Sequence, residues 1–261
     1  MMRAGFPVWL RGVRAACAHL TRIPVGGFPY SDDEWRWSGA HFPIVGACLG
    51  ALLGGVWLLG LRAGFFVAAI VVVATSLLVT GAMHEDGLAD TSDALGGGTS
   101  REQVFVILKD SRIGTYGGAA LTTALVLRVA LLARLGAATP MALVLAGSIS
   151  RLSPVCLMAS LPYVTEAANA KSRSIVATRP SQVLVAILWV AAISAGLVLF
   201  RRTSLAEIGA AWGATGVVAL VCGWRFRARA GGVTGDFLGA TQQVTECAVL
   251  LVLALGRGGP P

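Results

Sequence analysis

The residues best suited to chemistry lie in His84-Glu85-Asp86-Gly87-Leu88-Ala89-Asp90-Thr91-Ser92-Asp93, directly after an apolar run from Ala63 to Met83. On a helix, Asp86, Asp90 and Asp93 stand at i, i+4 and i+7, on a face about 60° wide. Carboxylates so placed repel one another unless a cation sits between them. Hard oxygen donors on a rigid stripe suit Mg²⁺, with Mn²⁺ as a substitute. The candidate metal ligands are Glu85, Asp86, Asp90 and Asp93. A metal site of this kind at a membrane surface most often serves a phosphate-bearing substrate. The plainer alternative is a solvated acidic turn, but such a turn has no need of three aspartates on one face.

Cations and small residues suited to phosphate follow. Lys109-Asp110-Ser111-Arg112-Ile113-Gly114-Thr115-Tyr116-Gly117-Gly118 sets two cations, a carboxylate and several glycines before another apolar run. Arg binds phosphate through a planar fork and Lys as a point charge, while glycines at a helix start let backbone N–H groups approach an anion. Lys109, Ser111 and Arg112 are therefore candidate substrate contacts, and Asp110 either orients Arg112 or joins the metal. Arg151 lies inside an apolar stretch, where a charge asks for a carboxylate or phosphate partner or snorkels to the interface. Arg128 is deeper and reads as a structural ion-pair partner, for instance of Glu246. Gly231-Gly232-Val233-Thr234-Gly235-Asp236 is either a plain turn or a tight loop delivering one carboxylate. Of the three histidines, His84 alone stands beside the acidic stretch.

These groups must be positioned by membrane-embedded elements. Hydrophobic residues make up 56% of the 261 and charged ones 13%, which is too apolar for a soluble domain. The reading is all-α: a single-domain polytopic helical bundle spanning residues 1–261, with about seven transmembrane helices and an N-terminal interfacial helix over 4–20. The spans are expected near 42–61, 63–83, 117–136, 138–158, 183–200, 206–224 and 244–256, the last starting as early as Gly239. Short turns at 61–63 and 136–138 imply helical hairpins, and Trp35 and Trp37 suit a headgroup belt. The five cysteines are scattered and imply neither a zinc site nor a disulfide framework. The net charge of +8 reflects topology and anionic headgroups; no basic helix with interleaved aromatics points to nucleic acid.

With the N-terminus in the cytoplasm, segments 1–41, 84–116, 159–182 and 225–243 carry fourteen Lys and Arg residues, against five on the other side. That asymmetry orients the chain, with Arg201-Arg202 the discordant pair. Loops 84–116, 159–182 and 225–243 are then expected to converge over a cavity open to the cytoplasm.

The motifs together resemble the cobalamin synthase family, the adenosylcobinamide-GDP ribazoletransferases. Leu20-Thr21-Arg22-Ile23-Pro24 is similar to its N-terminal signature, and Phe42-Pro43-Ile44-Val45-Gly46 to the start of its first span. His84 to Asp93 is similar to its acidic signature, and Lys109 to Gly114 and Thr234-Gly235-Asp236 to two more. Ala94 departs from a frequent glycine and favours continuation of the helix. The resemblance implies a bacterial plasma-membrane enzyme surrounded by lipid, its active site facing the cytoplasm. It would join adenosylcobinamide-GDP to α-ribazole or its 5′-phosphate and release GMP, with Mg²⁺ as cofactor. Asp86, Asp90, Asp93, Asp110 and Asp236 would be the catalytic carboxylates, and His84, Lys109, Ser111, Arg112 and Arg151 the substrate contacts. Assembly as a homo-oligomer is compatible with the sequence. Two alternatives are weaker. A CDP-alcohol phosphotransferase expects Ala-Arg where Ala89-Asp90 stands, and a cation-coupled transporter expects carboxylates at the midplane.

Overall fold

A computed structural model describes residues 7–164, 175 and 178–257. The described residues form helices and turns, with one isolated parallel bridge between Tyr163 and Val233. The all-α membrane reading holds. Five stretches are long and apolar enough to cross a bilayer, or six if the bent pair described below is taken as one; the exact count of seven is not established.

The chain enters through α1 (Val8–Leu20), whose Gly12, Ala15, Ala16 and Leu20 are buried; residues 4–6 of the expected helix lie outside the described residues. It packs on α2 (Asp32–Ser38), which opens with a capping box in which Ser31 and Glu34 satisfy each other's backbone N–H groups. Trp35 is buried edge-on against Tyr30 rather than standing at a headgroup belt.

Two antiparallel pairs build the centre. Helix α3 (Phe42–Gly60) turns through Leu61–Ala63 into α4 (Phe65–Thr80), and α7 (Thr115–Leu135) turns through Gly136–Ala138 into α8 (Thr139–Ile149). These are the two short turns expected from the sequence. Helices α3 and α8 meet backbone to backbone, Gly46 on Gly147, so a side chain at either would collide with the other helix. Small residues permit this approach where no hydrophobic force drives helices together in lipid.

One expected span is interrupted. Residues 138–158 divide into α8 and α9 (Leu152–Ser160), with Ser150 and Arg151 between them. Pro154 explains the break: it lacks an N–H, and its ring clashes with the carbonyl four residues back. That residue is Ser150, whose carbonyl instead accepts from the Ser153 hydroxyl at 3.0 Å. Broken helix at membrane depth is tolerated where it lines a cavity, and this break places Arg151.

Helices α10 (Pro180–Leu199), α11 (Leu205–Ala230) and α12 (Gly235–Gly256) complete the bundle. Helix α12 starts well before the short last span expected and is largely buried. Exposed Leu220, Val221 and Trp224 on α11 face outward, as lipid contact requires.

Candidate active site

The acidic segment is α5 (Met83–Gly97), which follows the end of α4 and is bent from it by 90°. The bend is made by two consecutive left-handed residues, Gly81 (φ 69°) and Ala82 (φ 56°). Glycine tolerates that conformation; for alanine it costs about 1–2 kcal/mol. The Arg22 N–H donates to the Val79 carbonyl at 2.7 Å and its guanidinium lies over Gly81, so the N-terminal segment braces the corner. Ala94 is fully buried and the helix runs on to Gly97, as an alanine there implied.

Helix α5 crosses the start of α12 at Gly87. A Cβ on Gly87 would stand 2.8 Å from the Asp236 carbonyl oxygen, and one on Gly239 would stand 3.4 Å from His84 Cα. Thr234 caps α12 by accepting from the Phe237 N–H at 3.2 Å, which sets Asp236 in its first turn beside Asp86. Asp86 is exposed and Asp90 half-buried, and among the described residues neither has an ion-pair or hydrogen-bond partner for its carboxylate. Burial first, then the charges of Asp86, Asp236 and Asp93, push Asp90 up to about 6. These carboxylates therefore share one electrostatic field, and among the described residues no cation pairs directly with Asp86 or Asp90.

The other two acidic residues of the stretch are engaged elsewhere. Asp93 is buried, and its two oxygens accept from the N–H groups of Gly114 at 2.7 Å and Gly117 at 2.8 Å. The glycine-lined start of α7 thus does hold an anion, and the anion is Asp93. Side chains at Gly114 or Gly117 would collide with its carboxylate. Glu85 points into the bundle. Its Oε1 accepts from Arg128 Nη1 at 2.8 Å and from Gln243 Nε2 at 3.1 Å. Arg128 also pairs with Glu246 at 3.0 Å, as expected, and donates to Ser76 at 3.2 Å. One guanidinium thereby joins α4, α5, α7 and α12.

Beneath the carboxylates lies a cavity of about 210 Å³, bordered by Asp86, Asp236, His84 and Arg151. Arg151 is 3% exposed; its Nη1 donates to the Gly147 carbonyl at 2.7 Å, and its buried Nε has no partner. Burial first, then the Arg151 charge, holds His84 well below the usual imidazole value, so its ring is neutral. The Lys109 segment behaves differently. It follows α6 (Arg101–Leu108), and Lys109, Ser111 and Arg112 are all exposed. Arg112 is held by Asp110 through a fork, Nη2 to Oδ2 at 2.7 Å and Nε to Oδ1 at 3.0 Å. Of the two roles open to Asp110, this geometry supplies the orienting one.

The expected convergence of segments is found at one end of the bundle. Arg229 donates to the Gly98 carbonyl, and Val233 pairs with the strand-like stretch 162–164, its N–H reaching the Pro162 carbonyl at 2.9 Å. Residues 165–174, 176 and 177 of the 159–182 loop lie outside the described residues.

Sequence reasoning named Glu246 but overlooked Gln242 and Gln243, which form a polar ladder with it. Gln242 donates to Ser150 at 3.1 Å and Glu246 at 2.7 Å, and its oxygen accepts from Gln243 at 3.0 Å. The signal was present: three polar residues within five positions of an apolar span mark function or a buried network.

Among the described residues no set of three His, Cys, Asp or Glu side chains is already gathered closely enough to hold a metal ion. Mg²⁺ rarely uses such a cage. It takes one or two carboxylates, several waters and substrate phosphate oxygens. Asp86, Asp90 and Asp236, sharing a negative field beside open space, fit that mode of binding.

The family model described as cobalamin-5-phosphate synthase matches residues 12–254. Curated relatives named adenosylcobinamide-GDP ribazoletransferase occur in Leptothrix cholodnii (38% identical, covering 90% of this chain and 92% of the relative), Vibrio vulnificus (37%; 91% and 93%) and Rhizobium etli (39%; 92% and 94%). No solved structure matches. The acidic helix, the Asp-Ser-Arg segment and the Asp236 loop all fall inside the matched range, and the chain belongs to the cobalamin-5-phosphate synthase family.

Proposed function

We propose that the protein is the Mg²⁺-dependent transferase that joins adenosylcobinamide-GDP to α-ribazole or α-ribazole 5′-phosphate. The products are adenosylcobalamin, or its 5′-phosphate, and GMP. The observation that carries this reading is the crossing of α5 and α12 at Gly87, which brings Asp86 and Asp236 to the rim of a cavity holding Arg151, with Asp90 within reach of their charges.

A hydroxyl oxygen of the ribose attacks the phosphorus attached to cobinamide. The bond that breaks joins that phosphorus to the oxygen bridging it to guanosine monophosphate, and GMP leaves with the bond's electron pair. Asp236, half-buried at the rim, accepts the hydroxyl proton. Asp86 and Asp90 would hold Mg²⁺, with Asp236 completing the acidic set. The ion supplies Lewis-acid neutralisation of charge on the phosphate oxygens. Arg151 offers a buried guanidinium with an unpartnered Nε to the same oxygens. Arg112, oriented by Asp110, and Lys109 offer cations to the pyrophosphate from the exposed side. Asp93 serves by fixing the start of α7 against α5.

The positive-inside asymmetry supports a cytoplasmic face for this end of the bundle, in a bacterial plasma membrane. Carboxylates on a helix that follows the end of α4, past a 90° bend, disfavour a cation-coupled transporter, whose coupling sites lie at the midplane.

The test is product formation by detergent-purified protein with no membrane gradient. GMP and the joined corrinoid should appear together from adenosylcobinamide-GDP with α-ribazole or its phosphate, and stop in excess chelator. Absence of both products with either acceptor would overturn the assignment.

A further inference from the structure

The walls of the cavity beneath the carboxylates are unequal. The rim carries exposed Asp86 and half-buried Asp236, while one side of the depth is apolar: Leu20 from α1, Phe42 from α3 and Met158 from α9 line it, each no more than 5% exposed, with His84, Arg151 and Gln242 the buried polar groups on the remaining wall. The imidazole of His19, also on the wall, stacks on Phe42 with centroids 5.5 Å apart and planes 20° from parallel. That pair presents a flat surface. Methionine adds a polarizable, adaptable one. The transfer chemistry itself calls on none of these residues.

We propose that this cavity is the acceptor pocket. It takes the flat, apolar bicyclic base of α-ribazole into its depth and leaves the ribose at the carboxylate rim. The assignment rests on the ribazoletransferase reading and adds where one of its two substrates sits.

Size removes the corrinoid. About 210 Å³ lies below the roughly 300–1,000 Å³ of sites for drug-sized ligands, and a corrin macrocycle with its amide side chains does not enter. Chemistry removes guanine, the other flat ring among the reactants. Guanine carries a full edge of donors and acceptors, and burying them unpaired is costly. The cavity has little to offer that edge. The Gln242 amide is spent on Ser150, Glu246 and Gln243, the Arg151 guanidinium is taken by the phosphate oxygens, and the apolar side of the depth is hydrocarbon, thioether and ring faces. A dimethylbenzimidazole has one ring-nitrogen lone pair and two methyl groups, which suits such walls. With the base down, the ribose is left at the rim beside Asp86 and Asp236, where the hydroxyl must be deprotonated. The corrinoid-pyrophosphate then approaches from the exposed side, toward Arg112.

Cavity-filling variants from two different helices test this. Met158→Trp and Leu20→Phe should each raise the KM for α-ribazole at least tenfold and leave the KM for adenosylcobinamide-GDP within twofold. A rise in the corrinoid KM instead, or no change in either, overturns the assignment. A second measurement needs no variant. The free base 5,6-dimethylbenzimidazole should inhibit the wild-type enzyme competitively against α-ribazole and not against adenosylcobinamide-GDP. Competition against the corrinoid, or no inhibition, is the contrary result. Wild-type protein that releases no GMP would sink the transferase reading, whereas normal wild-type turnover with an unshifted acceptor KM in the variants sinks the pocket alone.

Discussion

Arg128 donates from Nη1 to Glu85 Oε1 at 2.8 Å inside the bundle, and both residues are almost fully buried. Glu85 is one residue from Asp86, so this ion pair anchors the acidic helix to the membrane core just past its sharp bend. Removing one partner of a buried pair strands the other, a loss of about 3–5 kcal/mol. Arg128→Gln, which strands Glu85 and Glu246 together, should therefore lower the thermal unfolding temperature in detergent sharply. Glu85→Gln, which keeps the hydrogen-bonding shape, should lower it less. Equal stability of Arg128→Gln and wild type would show that the pair anchors nothing.

Asp86 and Asp93 lie on one helical face but do different work. Asp93 caps α7 from a distance of two dozen residues, so Asp93→Asn should cost about 1–2 kcal/mol of stability. Asp86 is exposed and carries no structural bond, so Asp86→Asn should leave the unfolding temperature unchanged while cutting turnover by about 10²-fold or more. Paired measurements of unfolding temperature and turnover separate the two. Identical losses of stability in both variants would contradict the division.

Gly87 lets α12 approach, and the carboxylates meet because it does. Gly87→Ala places a methyl group against the Asp236 backbone, at 2.8 Å without relaxation. Displacing reacting groups by even about 1 Å costs on the order of 10²-fold in rate, so turnover should fall at least tenfold with modest loss of stability. Gly118 is the control, since a Cβ there meets nothing within 4 Å and alanine favours helix. Gly118→Ala should be neutral in a steady-state assay; equal effects of the two substitutions would remove the argument.

Much of this was legible in the residues. The acidic stripe, the two hairpin turns and the Arg128–Glu246 pair follow from spacing and from the cost of charge in an apolar span. Other features needed the fold. The roles of Glu85 and Asp93 depend on which neighbour stands opposite: helical period puts Asp86, Asp90 and Asp93 on one face without separating a metal ligand from a structural anion, and it is silent on Glu85. The neighbours decide instead: Asp86 looks outward, Asp93 meets α7, and Glu85, off that face, looks down toward Arg128. The break at Arg151 was readable from Pro154, whose effect on the fourth residue back is general. The α5–α12 crossing was not, because a glycine in a helix reports freedom of approach without naming what approaches.

The exposed fork between Asp110 and Arg112 carries a pH prediction. Hydrogen bonds from Arg112 hold Asp110 down at about 2, well below the ordinary carboxylate value of 3.8. A depressed carboxylate keeps its interaction above its unperturbed pKa and loses it as pH falls through the lowered one. The fork is therefore intact from pH 5 to 8. The KM for adenosylcobinamide-GDP should rise in Asp110→Asn by the same factor across that range. A factor that shrinks toward pH 5 would mean that the fork had already opened there.

The proposal that Asp86 and Asp90, beside Asp236, hold a divalent cation is tested most directly by Mn²⁺ binding. The bound fraction is read by electron paramagnetic resonance on detergent-purified protein, with the substrate pyrophosphate absent and then present. Wild-type protein should bind Mn²⁺, more tightly with adenosylcobinamide-GDP present, and Asp86→Asn and Asp90→Asn should each weaken binding at least tenfold while remaining folded. Undiminished Mn²⁺ binding in both variants would place the ion elsewhere and contradict the site.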